Sequence, residues 1–174
     1  MTDTEFETIF REHKDAVYRF AWRMTSSPEA AEDIAQDVFV SLLRRPAAFD
    51  ETRGSLRSFL LGAARNLSLK RWRGERRWEE LEDEQFAAQP MDTVSGDVAE
   101  IVAKAVGSLP VLQREVLILS EYEGLTLDEI SRAVQAEIGT VKARLHRARE
   151  NLRRILAPLK RSNSVRMTSH GTLG

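Results

Sequence analysis

Between Glu79 and Glu100 the chain carries eight carboxylates (Glu79, Glu80, Glu82, Asp83, Glu84, Asp92, Asp97 and Glu100) and no lysine or arginine. Carboxylates three and four residues apart repel along a helix face, so this stretch is a poor helix interior. Pro90 and Gly96 interrupt it, and it has no apolar period. It reads as a flexible acidic linker over 79–96. That divides the 174 residues into two small units, 1–78 and 97–158, with a disordered tail over 159–174. Units of this size bury only about 60% of their unfolded surface and are marginal alone, so a covering partner would stabilise them.

Both units are helical in pattern. In the first, Phe6, Ile9, Phe10, Val17, Phe20, Ala21 and Met24 recur at three- and four-residue steps, predicting a helix over 4–24. Ser27 caps a second helix that starts at Pro28 and runs to about Arg45, with Ala31, Ile34, Val38 and Leu42 inward. A loop over 46–57 precedes a third helix, which reaches about Arg77 with Leu56, Phe59, Leu60, Ala63 and Leu67 inward. In the second unit, Asp97–Glu100 and Thr126–Glu129 each have the spacing of a capping box. Helices are expected from 97 to 109, from Pro110 to Tyr122, from 126 to 134 and from about Thr140 to Leu156. No strand pattern occurs. The expected fold is all-α: two small helical domains joined by the linker.

Composition narrows the chemistry. Net charge is −1, but the bases are clustered. Residues 65–77 hold Arg65, Lys70, Arg71, Arg73, Arg76 and Arg77, and residues 138–166 hold nine lysines and arginines against Glu150 alone. Two basic segments on either side of an acidic one suit two phosphate-facing surfaces. The absence of cysteine excludes disulfides and thiolate zinc, and fits a reducing compartment. No apolar run approaches the roughly 20 residues of a membrane span, and the first residues are polar. A cytosolic protein without stable membrane insertion is expected. The three histidines are scattered, and no phosphate loop or nucleophile elbow occurs. Neither a catalytic residue nor a cofactor is expected.

The segment Leu125–Arg149, LTLDEISRAVQAEIGTVKARLHRAR, reads as a short capped helix, a tight turn and a longer basic helix. Those are the parts of a helix-turn-helix, whose second helix enters the major groove. With Val141, Leu145, Ala148 and Leu152 inward, the residues Thr140, Lys142, Arg144, His146 and Arg147 become the candidates for DNA contact. An ordinary solvated basic face accounts for the same charge pattern.

The motifs LPVLQREVLIL (109–119), LTLDEI (125–130) and GTVKARLHRAR (139–149) closely resemble the carboxy-terminal domain of extracytoplasmic-function sigma factors of the bacterial sigma-70 family. The resemblance implies recognition of a −35-type promoter element. Where that family has a turn like Leu-Gly-Ile-Pro, this chain reads Val134-Gln135-Ala136-Glu137. A non-glycine in a left-handed turn position costs on the order of 1 kcal/mol.

The first unit resembles the same family. FREHKDAVYRFAWRMTSSPEAAEDIAQDVFVSLLRR (10–45) is similar to the first two helices of the domain that docks on polymerase. In the family, the second of these grips a coiled coil of the largest polymerase subunit. The matching candidates are Asp33, Gln36, Asp37 and Phe39; an acidic solvated face with Phe39 partly in the core is the alternative. SLRSFLLGAARNLSLKRWRGERR (55–77) is similar to the family's −10 reader. The loop 49–55 lies where the family captures a flipped base, which implies Asp50, Arg53 and Ser55. Arg65, Asn66, Lys70 and Arg73 are implied along the non-template strand, although at Lys70 the family often has aspartate. Trp72 and Trp78 suit stacking or packing equally.

The resemblance therefore implies an alternative sigma factor that binds core RNA polymerase and promoter DNA and is held in check by an anti-sigma factor. A helix-turn-helix regulator that does not dock on polymerase, and a sigma-like decoy for an anti-sigma protein, are the rival readings.

Overall fold

The computed structural model describes residues 1–75, 86, 88–92 and 96–161, without the side chains of 73–75. Among them it is all-helical. Helix α1 (Asp3–Thr25) starts at a capping box: the Thr2 hydroxyl accepts from the Glu5 amide (3.2 Å), and the Glu5 carboxylate accepts from the Thr2 amide (2.7 Å). Those bonds hold the Glu5 carboxyl below its ordinary value. The helix ends on Ser26, which takes the left-handed conformation (φ 55°). Ser27 then caps α2 (Pro28–Arg44) through the Ala30 amide, with Pro28 in the first turn, as the sequence predicts.

Helix α3 (Leu56–Glu75) packs against both, and the three bury Phe20, Ala21, Ile34, Val38, Leu60, Leu61 and Leu69. Large side chains buried to this degree contribute about 1.5–3 kcal/mol each. Two short 3₁₀ turns, Pro46–Ala48 and Glu51–Arg53, shape the loop that precedes α3.

The second unit comprises α4 (Val98–Gly107), α5 (Val111–Leu117), α6 (Leu127–Val134) and α7 (Ile138–Ile155). Thr126 and Glu129 form the predicted capping box, with bonds of 3.2 and 3.0 Å. Asp97 sits at the N-cap of α4 but makes no side-chain cap bond, so the predicted box there does not form. The helix expected over 110–122 is not uniform either. It passes into a π turn over Ile118–Tyr122, where Glu123 N–H reaches back to Ile118 C=O (3.1 Å). Gly124, at φ 66°, then reverses the chain.

Two further expectations change. Of the linker, Ala88 is buried, and Met91 donates its amide to Ile155 C=O (3.1 Å), so this portion is anchored to α7 rather than a free spacer. Residues 157–161 are helical, which shortens the tail; 162–174 lie outside the described residues, as do 76–85, with Arg76, Arg77, Trp78 and the most acidic part of the linker.

The two units pack on one another. α6 lies along α3, and α4, α5 and the π turn reach α1. A methyl group at Gly62 of α3 would stand 3.5 Å from the Ala133 backbone of α6. That is ordinary van der Waals contact, so the helices pack closely here without requiring glycine.

Candidate nucleic-acid interface

Three surfaces carry the residues singled out in the sequence. The first is a face of α2. Asp33, Gln36 and Asp37 are all exposed, and Asp33 pairs with Arg71 of α3 at 3.3 Å. Phe39 is not on this face. It is 3% exposed and packs edge-on against Phe10, with ring centroids 5.0 Å apart. Its spacing, two residues past Asp37, turns it about 200° round the helix and into the core. The residues that do extend the exposed stripe are Val40 and Leu43, which are 42% and 50% exposed. Val40 follows Gln36 by four residues and Leu43 follows Val40 by three, and that helical step was the available sequence signal.

The second surface is the loop before α3 and the helix itself. Asp50 accepts from both the Thr52 amide (3.0 Å) and the Thr52 hydroxyl (2.6 Å). The Thr52 hydroxyl, then its amide, hold the Asp50 carboxyl below its ordinary value. Asp50 thus shapes the loop with one oxygen and keeps its other, Oδ2, near Arg53 (3.8 Å). Ser55 bonds Ser58 (3.0 Å) and touches Glu129 of α6 (3.4 Å), while the Arg53 carbonyl accepts from Arg132. A cleft of about 890 Å³ opens between this loop, α3 and α6. Phe49 and Phe59, with ring centroids 5.5 Å apart, line it, together with Asn66 and Arg132. Its volume lies within the range of small-molecule pockets, and its walls combine aromatic rings with hydrogen-bonding groups, as an unstacked base requires.

Along α3 the predicted residues separate. Asn66 and Lys70 are exposed, and the Arg73 side chain lies outside the described residues. Arg65 is turned away from that surface, into the junction between the units. Its Nε and Nη2 donate to the two oxygens of Glu115 (2.6 and 3.0 Å). One turn pair earlier, Arg57 donates to the Glu123 carboxylate (2.7 Å) and to its backbone carbonyl (2.7 Å). Arg19 and Arg23 of α1 stand 3.6 and 4.0 Å from the same carboxylate. Both acids are fully buried. Burying a carboxylate costs several kcal/mol unless it is paired, so the guanidinium groups are what permit the junction to close. Sequence reading left Arg57 in a loop and missed it. Trp72 packs partly buried against the core.

The third surface is the start of α7. Val141, Leu145 and Ala148 are buried as predicted, and Gln113 and Asn151 join α5 to α7 through a buried 2.7 Å bond. Thr140, Lys142 and His146 are exposed; Arg144 and Arg147 are half-buried. Among the described residues, none of Lys142, Arg144 and Arg147 makes an ion pair, whereas Arg149 is held by Glu121 (2.6 Å). Three cations within two turns and without carboxylate partners form an electropositive helix start suited to a groove. The α6–α7 turn places Gln135 at φ 53°, ψ 48°, the left-handed position identified in the sequence.

No group of three or more metal-ligating side chains occurs among the described residues, and no described helix is long and apolar enough to cross a membrane.

Comparison with known proteins bears on both units. Residues 9–78 match the Sigma-70 region 2 family, and residues 99–152 match the Sigma-70 region 4 family. The ECF RNA polymerase sigma factor SigE of Mycolicibacterium smegmatis is 31% identical over 161 residues, which cover 87% of this chain and 62% of that protein. The chain thus spans somewhat less than two thirds of SigE. The ECF RNA polymerase sigma factor SigW of Bacillus subtilis is 31% identical over 169 residues, covering 88% of this chain and 90% of SigW. Among solved structures, the sigma factor RpoE of Bartonella quintana, crystallised with the anti-sigma factor NepR, superposes with a TM-score of 0.70 at 26% identity, covering 88% of this chain and 97% of that one. With both sigma regions matched in order and a relative aligned over nearly its whole length, the chain belongs to the ECF RNA polymerase sigma factors of the sigma-70 family.

Proposed function

We propose that this chain directs core RNA polymerase to bipartite promoters, with each surface taking one task. The exposed stripe Asp33, Gln36, Asp37, Val40 and Leu43 of α2 docks on the polymerase: a row of acids beside apolar side chains fits a partner helix with basic and apolar positions. The region 2 side of the cleft, formed by Phe49, Phe59 and the loop before α3, receives an unstacked base of the −10 element once α6 is withdrawn from it, with Asp50 shaping the loop and Arg53, Ser55 and Asn66 beside it. Lys70 and Arg73 follow the unpaired strand. Thr140, Lys142, Arg144, His146 and Arg147 of α7 read the −35 element. Units 1–78 and 97–158 are each weak binders, and tethering through 79–96 combines their affinities by effective concentration. Strand opening is driven by binding energy, and the polymerase carries the chemistry. The protein works in the cytoplasm, and an anti-sigma partner, such as the one bound to the Bartonella relative, restrains it.

The observation that carries this reading is the pairing, on one chain, of an aromatic-bearing loop beside a basic helix with a second, electropositive helix start. Selection of random duplex fragments by the assembled holoenzyme tests it. Two conserved blocks at a fixed spacing are expected. A single block, recovered equally well without polymerase, would instead favour a helix-turn-helix regulator.

A further inference from the structure

The ion pairs between the two units have a regular order. Arg57 and Arg65 lie eight residues apart on α3, about 12 Å along its axis. Their partners Glu123 and Glu115 are also eight residues apart, in the opposite direction. Residues eight apart on a uniform α-helix are rotated by about 80°. A π turn over Ile118–Tyr122 lies between the two acids, and its wider turn lags that rotation.

Each acid sits as an oxyanion would. Glu115 takes two parallel bonds from the fork of Arg65, the geometry a phosphate also accepts. Around Glu123 three guanidinium groups converge on one carboxylate. One negative group there leaves a positive excess. The fit is also incomplete, since Arg23 Nη1 and Glu123 Oε1 are both buried without a hydrogen-bond partner. At the other end of the junction, Glu129 meets Ser55, and α6 stands over the loop that carries Phe49 and Asp50.

We propose that Glu115 and Glu123 are built-in stand-ins for DNA phosphates. They occupy guanidinium seats (Arg65; Arg57 with Arg19 and Arg23) that the backbone of an unpaired DNA strand takes when region 4 moves away. The closed chain and single-stranded DNA then compete for the same arginines. The proposal deepens the reading of α3 as the strand-holding helix and rests on it. It adds Arg57, Arg19 and Arg23 to the DNA-binding residues, and it makes region 4 a self-supplied inhibitor of region 2. Buried ion pairs gain little net stability over their hydrated parts, so such a closure is readily reversed.

The test uses the full chain, which has no cysteine of its own. A Cβ at Gly62 would stand 3.6 Å from the Ala133 Cβ, within disulfide reach, so the pair G62C/A133C locks the closed form on oxidation. Binding of a fluorescein-labelled single-stranded DNA oligonucleotide of mixed sequence is measured by anisotropy in both redox states. The oxidised protein is expected to lose binding and the reduced protein to recover it. Independently, E115Q/E123Q is expected to bind the oligonucleotide more tightly, by about tenfold or more if the open form is at most a tenth of the population. Adding R57Q/R65Q should abolish that gain. Equal affinity of the oxidised and reduced proteins, including no binding by either, overturns the proposal. Run-off transcription with the unsubstituted chain reports separately on the underlying reading. Initiation with a silent cross-link sinks this proposal alone, whereas redox-dependent DNA binding without initiation sinks the sigma function alone.

Discussion

Gln135 ends α6 in the left-handed region (φ 53°, ψ 48°), where its Cβ crowds the backbone. The surrounding bonds hold it there: its amide and that of Ala136 both return to Ser131 C=O, the latter at 3.1 Å, closing the helix on a left-handed cap. Its side chain is exposed, so replacing it removes no buried contact. Gln135→Gly relieves about 1–2 kcal/mol of left-handed strain and loses about 0.4–1 kcal/mol to the freer unfolded chain. The middle of these ranges leaves a net stabilisation of about 0.8 kcal/mol. For a chain of this length that raises the melting temperature by roughly 1–4 °C, read by far-UV circular dichroism. Gln135→Val, which adds a β-branch in the same conformation, should lower it by a similar amount or more. An unchanged or lower melting temperature for the glycine variant would refute the reasoning, because it would mean that the turn does not hold this conformation in solution.

Further predictions concern the surfaces. Phe39→Ala should destabilise the protein by about 3–5 kcal/mol in urea melts, as a buried aromatic does, whereas Val40→Asp with Leu43→Asp should shift stability by no more than about 1 kcal/mol and abolish co-elution with core polymerase. Lys142→Ala should weaken binding to a selected −35 duplex at every sequence and lower the salt slope by about 1, while Arg144→Ala should relax sequence preference if it meets a base edge. His13 has its pKa lowered, chiefly by burial and then by Arg57, against the opposing pull of Glu12. The unfolded state therefore binds the proton more tightly, and stability should fall as pH drops from near the ordinary value of 6.5 toward the lowered one. Urea midpoints across that window should show this slope, and His13→Gln should flatten it.

What the sequence made legible follows from which forces are local. Caps and apolar stripes act within a few residues, so α1, α2 and the α6 capping box appear within a residue or two of their predicted places. The left-handed turn at Gln135 is local too and was readable from its place in the motif. Phe39 was misplaced because motif resemblance outweighed its angle on the helix. Asp97 has the spacing of a capping box, but spacing alone does not orient its side chain. The contacts between Arg65 and Glu115 and between Arg57 and Glu123 join residues 50 and 66 positions apart. No periodicity encodes such pairs, since each partner alone reads as a solvated charge. The π turn was likewise hidden, because its uninterrupted apolar run, VLIL over 116–119, suits α- and π-geometry equally.

On this reading the chain confers promoter choice on RNA polymerase. Run-off transcription by bacterial core enzyme, with and without the full chain, on fragments recovered by holoenzyme selection tests it most directly. Initiation is expected to depend on the protein, to be lost when either the −10 or the −35 block is scrambled, and to fail with Val40→Asp/Leu43→Asp. Absence of both core binding and initiation would contradict it, and would leave a decoy or a polymerase-independent regulator as the better description.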